Sequence, residues 1–316
     1  MELIRGRQNI HAVHRGCVAT IGNFDGVHRG HQRIIAQLAE AASRHQVPST
    51  VIVFEPQTAE FFRPAEPPAR ISLLRDKYRL LAAAGVERVV VLNFNASLAS
   101  LPAEEFVAEI LVQRLGVREL VIGDDFRFGR GRSGDFALLE AMAGASGYVV
   151  QRAEPVNIDG ERVSSTRIRT LLDAGEFAAA ARMLGRKYRI GGRIVAGKAN
   201  GRTIGFPTIN IPLRRRRSPL HGIFAARVHG LATAPVNGAA YIGTRAVINE
   251  STVVLEVNLF DFSRDCYGER VEVEFVEKIR DELPFADFES LRRQIAEDVA
   301  AARQSLTAAD GYEINA

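Results

Sequence analysis

From Cys17 to Gln151 the chain alternates short runs of Val, Ile and Leu with segments of helical periodicity, and this alternation restricts the fold more than any other feature. Cys17–Ile21, Thr50–Phe54, Arg88–Leu92, Glu119–Ile122 and Tyr148–Gln151 read as strands. His31–His45, Leu73–Ala84, Ala103–Leu115 and Phe136–Ala145 read as the helices between them. Runs this apolar have no face to offer water, so the sheet they form is covered on both sides, which calls for parallel strands with helical crossovers. The expectation is a Rossmann-like α/β domain, closed by a further helical stretch from Thr166 to Leu184.

After Gly185 the texture changes. Strand-like segments, Gly192–Ala196, Gly222–Val228, Thr252–Phe260 and Arg270–Glu277, follow one another without helices between them, as in an antiparallel barrel or sandwich. Helical spacing returns at Phe288–Arg303 through Leu291, Ile295 and Val299, giving one amphipathic helix to cover the sheet. The predicted domains are 1–185 and 186–316. A chain of 316 residues, 47% apolar and 25% charged, is long enough for two cores.

The net charge of +4 suits an enzyme that handles polyphosphates and is no argument for RNA by itself. The run Arg214–Arg217 has no interleaved aromatic residues and reads as a solvated loop, so no nucleic-acid partner is expected. Cys17 and Cys266 are far apart and read as free thiols in a reducing compartment. No apolar run approaches membrane-spanning length and Met1–Arg15 has no apolar signal core, so the expected location is cytoplasmic, with no membrane partner. The pattern leaves an oligomer open.

Several segments carry chemistry. The strand Cys17–Ile21 runs into Gly22-Asn23-Phe24-Asp25-Gly26-Val27-His28-Arg29-Gly30-His31 and then a helix. Ligands of parallel sheets bind beyond the carboxyl ends of the strands. Gly22, Gly26 and Gly30 allow close backbone approach to a phosphate, and the helix start offers free N–H groups. His28 and His31, three apart, can both donate hydrogen bonds to reacting phosphate. Far along the chain, Ser164, Ser165 and Thr166 open a helix with Arg167 and Arg169, a set able to grip pyrophosphate. Gly129-Arg130-Gly131-Arg132-Ser133-Gly134 matches a dinucleotide fingerprint but does not join a strand directly to a helix, so it reads as a mobile basic loop. In the second half, Gly201-Arg202-Thr203-Ile204-Gly205-Phe206-Pro207-Thr208-Ile209-Asn210 places Thr208 and Asn210 on one side of an extended segment. Their hard oxygens suit Mg²⁺ that already carries phosphate, although two solvent-facing polar residues would look the same. Glu256 and Asn258 share a face of Thr252–Phe260.

Together these motifs resemble the prokaryotic bifunctional riboflavin kinase/FMN adenylyltransferase family. Gly22–His31 with Val163–Arg169 is similar to the nucleotidyltransferase superfamily, and Gly123-Asp124-Asp125-Phe126-Arg127-Phe128-Gly129 to the segment of bacterial FAD synthetases. The resemblance implies that Gly22, Asn23, Phe24, Asp25, Gly26, Gly30, Ser164, Ser165, Thr166, Arg167 and Arg169 bind ATP phosphates beside catalytic His28 and His31. Gly123, Asp124, Phe126 and Phe128 then shape the flavin and nucleotide pocket. Phe54-Glu55-Pro56-Gln57 also matches, but relatives often carry His-Pro at Gln57-Thr58, and those two are left out of the site. Gly201–Asn210 resembles the riboflavin kinase signature. It implies that Gly201, Arg202, Gly205 and Pro207 bind nucleotide, that Thr208 and Asn210 hold Mg²⁺, and that Glu256 is the base on the riboflavin 5′-hydroxyl. Relatives often have His at Asn258 and Asn at Tyr241. The implied fold is an N-terminal Rossmann-like nucleotidyltransferase domain and a C-terminal riboflavin kinase β-barrel with a terminal helix. The implied substrates are riboflavin, FMN and ATP.

Overall fold

The computed structural model describes residues 1–197, 206–213, 215–247 and 250–313, which form two compact units, 1–68 with 72–164, and 69–71 with 165–316. The first contains the strands β1 (Glu2–Arg5), β2 (Cys17–Ile21), β3 (Ser49–Glu55), β4 (Arg88–Asn93), β5 (Val117–Ile122) and β6 (Val149–Arg152). They form one parallel sheet in the order β1-β4-β3-β2-β5-β6. From β2 the chain proceeds outward through β3 and β4, then returns to the other side of β2 as β5. That reversal opens a crevice at the carboxyl ends of β2 and β5, which is where ligands enter such sheets.

The expected strands are present because Val, Ile and Leu fill both faces. Val18, Val51, Val53 and Val121 pack on one side, and Ala19, Ile52, Val90 and Leu120 on the other. The helices α1 (Arg29–His45), α3 (Leu74–Ala83) and α6 (Phe136–Ser146) cover the sheet, with the short α2 (Thr58–Phe62), α4 (Ala96–Ala99) and α5 (Ala103–Glu105) among them. The expected helix at Ala103–Leu115 is instead a brief α-helical turn, Ala103–Glu105, that continues as a π-helix, Phe106–Arg114. Cys17 is fully buried, and that burial pushes its thiol up to about 11, so it is inert at neutral pH.

The second unit begins with α7 (Ser165–Asp173) and α8 (Phe177–Leu184), two helices where periodicity alone reads one, because Gly175 turns the chain at φ 77°. Six antiparallel strands follow: β9 (Arg189–Arg193), β10 (Thr208–Pro212), β11 (Gly222–His229), β12 (Val236–Val247), β13 (Glu250–Leu259) and β14 (Arg270–Arg280). Their order is β10-β13-β12-β11-β14-β9, and Val195 N–H donates to Asn210 O at 2.9 Å, joining the chain beyond β9 to β10. The sheet thus curls back on itself as a near-closed barrel, the arrangement that leaves few edges. The terminal helix α9 (Phe288–Glu313) packs Ala302 and Leu306 against Ala225 and Phe260.

The arginine run departs from expectation. Arg216 and Arg217 are exposed, but Arg215 is 7% exposed and donates to Arg70 O at 2.9 Å and to the Tyr188 hydroxyl at 3.3 Å. Arg169 donates to Ala69 O and Tyr188 to Ile71 O. Three consecutive carbonyls therefore gain donors from the second unit, which is why 69–71 belongs to it; Arg214 lies outside the described residues.

Glu274 on β14 shows a second pattern that alternation conceals. It is 2% exposed, and its carboxylate accepts from Arg189 at 2.8 Å and contacts His229 at 3.0 Å, Lys187 at 3.3 Å and Arg227 at 3.7 Å. Burial pushes its carboxyl up, but the Arg189 hydrogen bond and the Lys187 and Arg189 charges outweigh it and hold it below the usual range. A depressed carboxyl gives stability that is present above its unfolded value and lost as pH falls through the folded one. Glu274→Gln removes the buried carboxylate that part-exposed Arg189 and Lys187 reach and that Arg227 shares with Asp310, and is expected to lower stability by about 1–3 kcal/mol. Urea melts at pH 7 and in mild acid check this, and the gap between parent and variant should narrow in acid.

Candidate active sites

The first centre is the turn between β2 and α1. Gly22 N–H still bonds Ile52 O at 3.0 Å, which fixes where the turn leaves the sheet. Phe24 and Val27 then adopt φ 47° and 41°, left-handed values uncommon for such residues. Both are buried, Phe24 at 1% and Val27 at 2%, so packing holds the strained loop. Asp25 is a brace: its Oδ1 accepts from Ser72 N–H at 2.9 Å and lies 3.2 Å from Ser72 Oγ, and Gly26 N–H donates to the same hydroxyl at 2.9 Å. Ser72 is a positioning residue that the sequence pattern does not reveal.

His28 is the N-cap of α1, and its Nδ1 accepts from His31 N–H at 3.3 Å. The two imidazoles stack with centroids 3.6 Å apart, and Phe24 lies 4.6 Å from His31 on the far side. Burial, followed by the charges of His28 and Lys77, holds the His31 imidazole well below its usual range, so it is neutral at physiological pH. Its Nδ1 is buried with no hydrogen-bond partner, as is Asn23 Oδ1. Lys77 is 1% exposed on α3, one turn from buried Leu81, a placement that reads from sequence as an ordinary surface lysine. A Cβ on Gly30 would stand 3.2 Å from the His28 ring, so the glycine leaves room for the imidazole.

Across the crevice, the segment after β5 turns back on itself, with Phe128 and Gly134 exchanging backbone hydrogen bonds at 3.0 and 2.9 Å. Phe126 stacks on Phe128 at 5.4 Å, Phe106 lies 5.7 Å from Phe128, and Asp124 pairs with Arg152. The basic loop is thereby held at both ends, and Arg130 N–H donates to Leu101 O. Gly129 and Gly134 both press on Ala103, where a Cβ would come within 2.7 Å of it. These glycines are there for packing rather than for phosphate. Gly123, Asp124, Phe126 and Phe128 thus share one side of the crevice, while Ser165, Thr166, Arg167 and Arg169 form the first turns of α7, preceded by Ser164.

The second centre lies in the barrel. The register places Asn210 of β10 and Tyr241 of β12 directly opposite Glu256 of β13, and Thr208 opposite Asn258. Thr208, Tyr241, Glu256 and Asn258 line a cavity of about 340 Å³ that Arg280, Phe285 and Ile295 help to close. Asn210 lines a different cavity, beside Gly197, whose missing side chain leaves space for the amide. Tyr241 donates to Glu282 at 2.7 Å, and Asn258 Nδ2 donates to Pro207 O at 2.8 Å, fastening the chain that enters β10. Arg280 forks onto Asp298 with two contacts of 2.7 Å, joining the cavity wall to α9. Gly201, Arg202 and Gly205 lie outside the described residues.

Against known proteins, the FAD synthetase family model matches residues 10–167 and the riboflavin kinase model residues 184–306. A bifunctional riboflavin kinase/FMN adenylyltransferase from Pseudomonas fluorescens is 48% identical, over 96% of this chain and 97% of its own length. The chain belongs to the bifunctional riboflavin kinase/FMN adenylyltransferase family. The corresponding enzymes of Escherichia coli K12 and Haemophilus influenzae are each 44% identical over 96% of this chain. A crystal structure from Streptococcus pneumoniae described as a macrolide-efflux protein shares the fold with TM-score 0.77 at 29% identity, covering 96% of this chain and 99% of that one. Among the described residues of this family member, no helix is long and apolar enough to cross a membrane. The residues that match the FAD synthetase model carry the N-terminal parallel sheet, and those that match the riboflavin kinase model carry the C-terminal barrel.

Proposed function

We propose that the family's two reactions are divided between these two centres, with Glu256 the base of the kinase step and His28 and His31 the phosphate donors of the adenylyl-transfer step. The observation that carries this reading is that the two matched motifs occupy separate ligand-type positions: the crevice of a parallel sheet and the mouth of a barrel.

In the barrel, Glu256 removes the proton from the riboflavin 5′-hydroxyl, whose oxygen attacks the γ-phosphorus of ATP as ADP leaves. A half-buried carboxylate flanked by Asn210 and Tyr241 can reach such a hydroxyl in the cavity it lines. Among the described residues no cluster of three or more His, Cys, Asp or Glu could hold a metal alone. Thr208 and Asn210 instead offer neutral hard oxygens, which fit a Mg²⁺ that arrives bound to nucleotide phosphates. When bound, the ion neutralises phosphate charge, while Pro207 and the Gly201–Gly205 segment are assigned to the nucleotide. In the crevice, the FMN phosphate attacks the α-phosphorus of a second ATP and pyrophosphate departs. An ionised phosphate needs no base, so Gly22–His31 contributes positioning and hydrogen-bond donors. Ser164–Arg169 is assigned to the leaving pyrophosphate; the FAD synthetase match reaches as far as residue 167. Asp124, Phe126 and Phe128 are assigned to the flavin and nucleotide.

Pure protein given riboflavin, ATP and Mg²⁺ should release FMN first and FAD after it. We also propose that residues 186–316 fold alone and stop at FMN. Chromatography of both reaction mixtures checks this, and FAD from the shorter chain would overturn the division.

A further inference from the structure

The carboxyl end of β3, next to the turn that carries His28 and His31, holds a buried donor that the motifs do not account for. Gln57 is the N-cap of α2 at the carboxyl end of β3, the strand beside β2. It is 4% exposed. Its backbone N–H is satisfied by Glu60 Oε2 at 3.0 Å, but its side-chain Nε2 is buried without any hydrogen-bond partner. Folded proteins leave few such groups, because a desolvated N–H that bonds nothing is costly. Asn23 Oδ1 and His31 Nδ1, both in the turn after β2, share the condition, as do Thr50 Oγ1 on β3 and Gln151 Oε1 on β6. The turn after β2 leaves the sheet alongside β3, since Gly22 N–H bonds Ile52 O. The orphaned atoms of Gln57, Asn23 and His31 thus belong to the carboxyl ends of two neighbouring strands, where a parallel sheet receives its ligand.

We infer that the Gln57 amide donates a hydrogen bond to an acceptor oxygen of the substrates of adenylyl transfer, and so helps to set the affinity for FMN or ATP. This rests on the assignment of adenylyl transfer to the crevice. The bond forms only with substrate present, so it contributes to binding and not to the fold.

Two substitutions test it in the full-length protein, Gln57→Met and Gln57→Glu. Methionine keeps the length and removes the donor; glutamate keeps the shape and turns the donor into an anion facing phosphates. With the donor role, Gln57→Met raises a KM of adenylyl transfer roughly tenfold, the value of one hydrogen bond. Gln57→Glu raises it further, and riboflavin phosphorylation is unchanged in both. Separate titrations of FMN and ATP identify which substrate supplies the oxygen. Methionine also removes the side-chain oxygen that accepts from the Glu60 N–H in the capping box of α2, so the melting temperature of that variant without substrate is compared with that of Gln57→Glu, which keeps an oxygen there. Parent-like KM values for both substrates in both variants would overturn the inference. So would a lowered melting temperature with kcat and KM changed alike, which marks a purely structural cap. A His28→Ala/His31→Ala protein run alongside separates the two levels. If it loses adenylyl transfer while the Gln57 variants keep theirs, only the role of Gln57 fails. If it retains adenylyl transfer, the assignment of the crevice fails.

Discussion

Glu256→Gln is expected to slow riboflavin phosphorylation by about 10²–10⁴, the usual worth of a general base, while FAD formation from supplied FMN continues at the parent rate. The glutamine amide matches the carboxylate in shape, so the register that sets residue 256 against Asn210 and Tyr241 should persist. What is lost acts on a proton in flight, so the affinities for riboflavin and Mg-ATP should change much less than turnover. Both half-reactions measured on one purified variant, with its melting temperature, decide the matter. Near-normal kinase turnover would remove Glu256 from the base role. Loss of both activities with a lowered melting temperature would make it a fold-stabilising residue.

The complementary expectation is that His28→Ala/His31→Ala abolishes FAD formation and spares riboflavin phosphorylation. Removing one preorganised donor to a reacting oxyanion costs about 10²–10³ in rate, so the pair should take adenylyl transfer below detection. The fold should survive. His31 is neutral, so no buried charge is orphaned, and losing the His28 cap costs only about 1 kcal/mol of helix stability. The depressed His31 imidazole gives the parent stability that is present above the usual imidazole range and lost as pH falls below it. The variant's melting temperature should therefore be less sensitive to acid in that window. FAD yield and melting curves between pH 5 and 8 would show this, and retained FAD synthesis would make the turn merely structural.

Much of this arrangement is legible in the sequence because burial on both faces leaves an unmistakable record. The Val- and Ile-rich runs that read as strands became β2 to β6, and the change of texture near Gly185 precedes the barrel. What escaped has identifiable causes. β1 is only Glu2–Arg5, with a single buried side chain, and is held by its backbone pairing to β4. β12 is rich in Gly and Ala, which alternation scores as turn; at Gly238 a Cβ would meet Asn258 O at 2.6 Å, so the small residue there is a packing requirement. Glu274, Arg215 and Lys77 escaped because a charged residue reads as solvent-facing until its surroundings are known. The site divides the same way. His28, His31 and Glu256 stand out by motif, whereas Ser72 and Gln57 matter through contacts that no spacing encodes.

The cap on α1 also settles the chemistry available to His28. An imidazole whose Nδ1 accepts the His31 N–H must carry its proton on Nε2. The helix end therefore fixes the tautomer, and Nε2 is a donor that does not act as a proton acceptor while the helix stays capped. A centre that joins two phosphates has no proton to remove from its nucleophile, and an imidazole locked in this form suits it. The same lock would work against a hydrolase, whose water must give up a proton, so under the proposed assignment one hydrogen bond at the start of a helix would favour transfer of the adenylyl group over its loss to solvent.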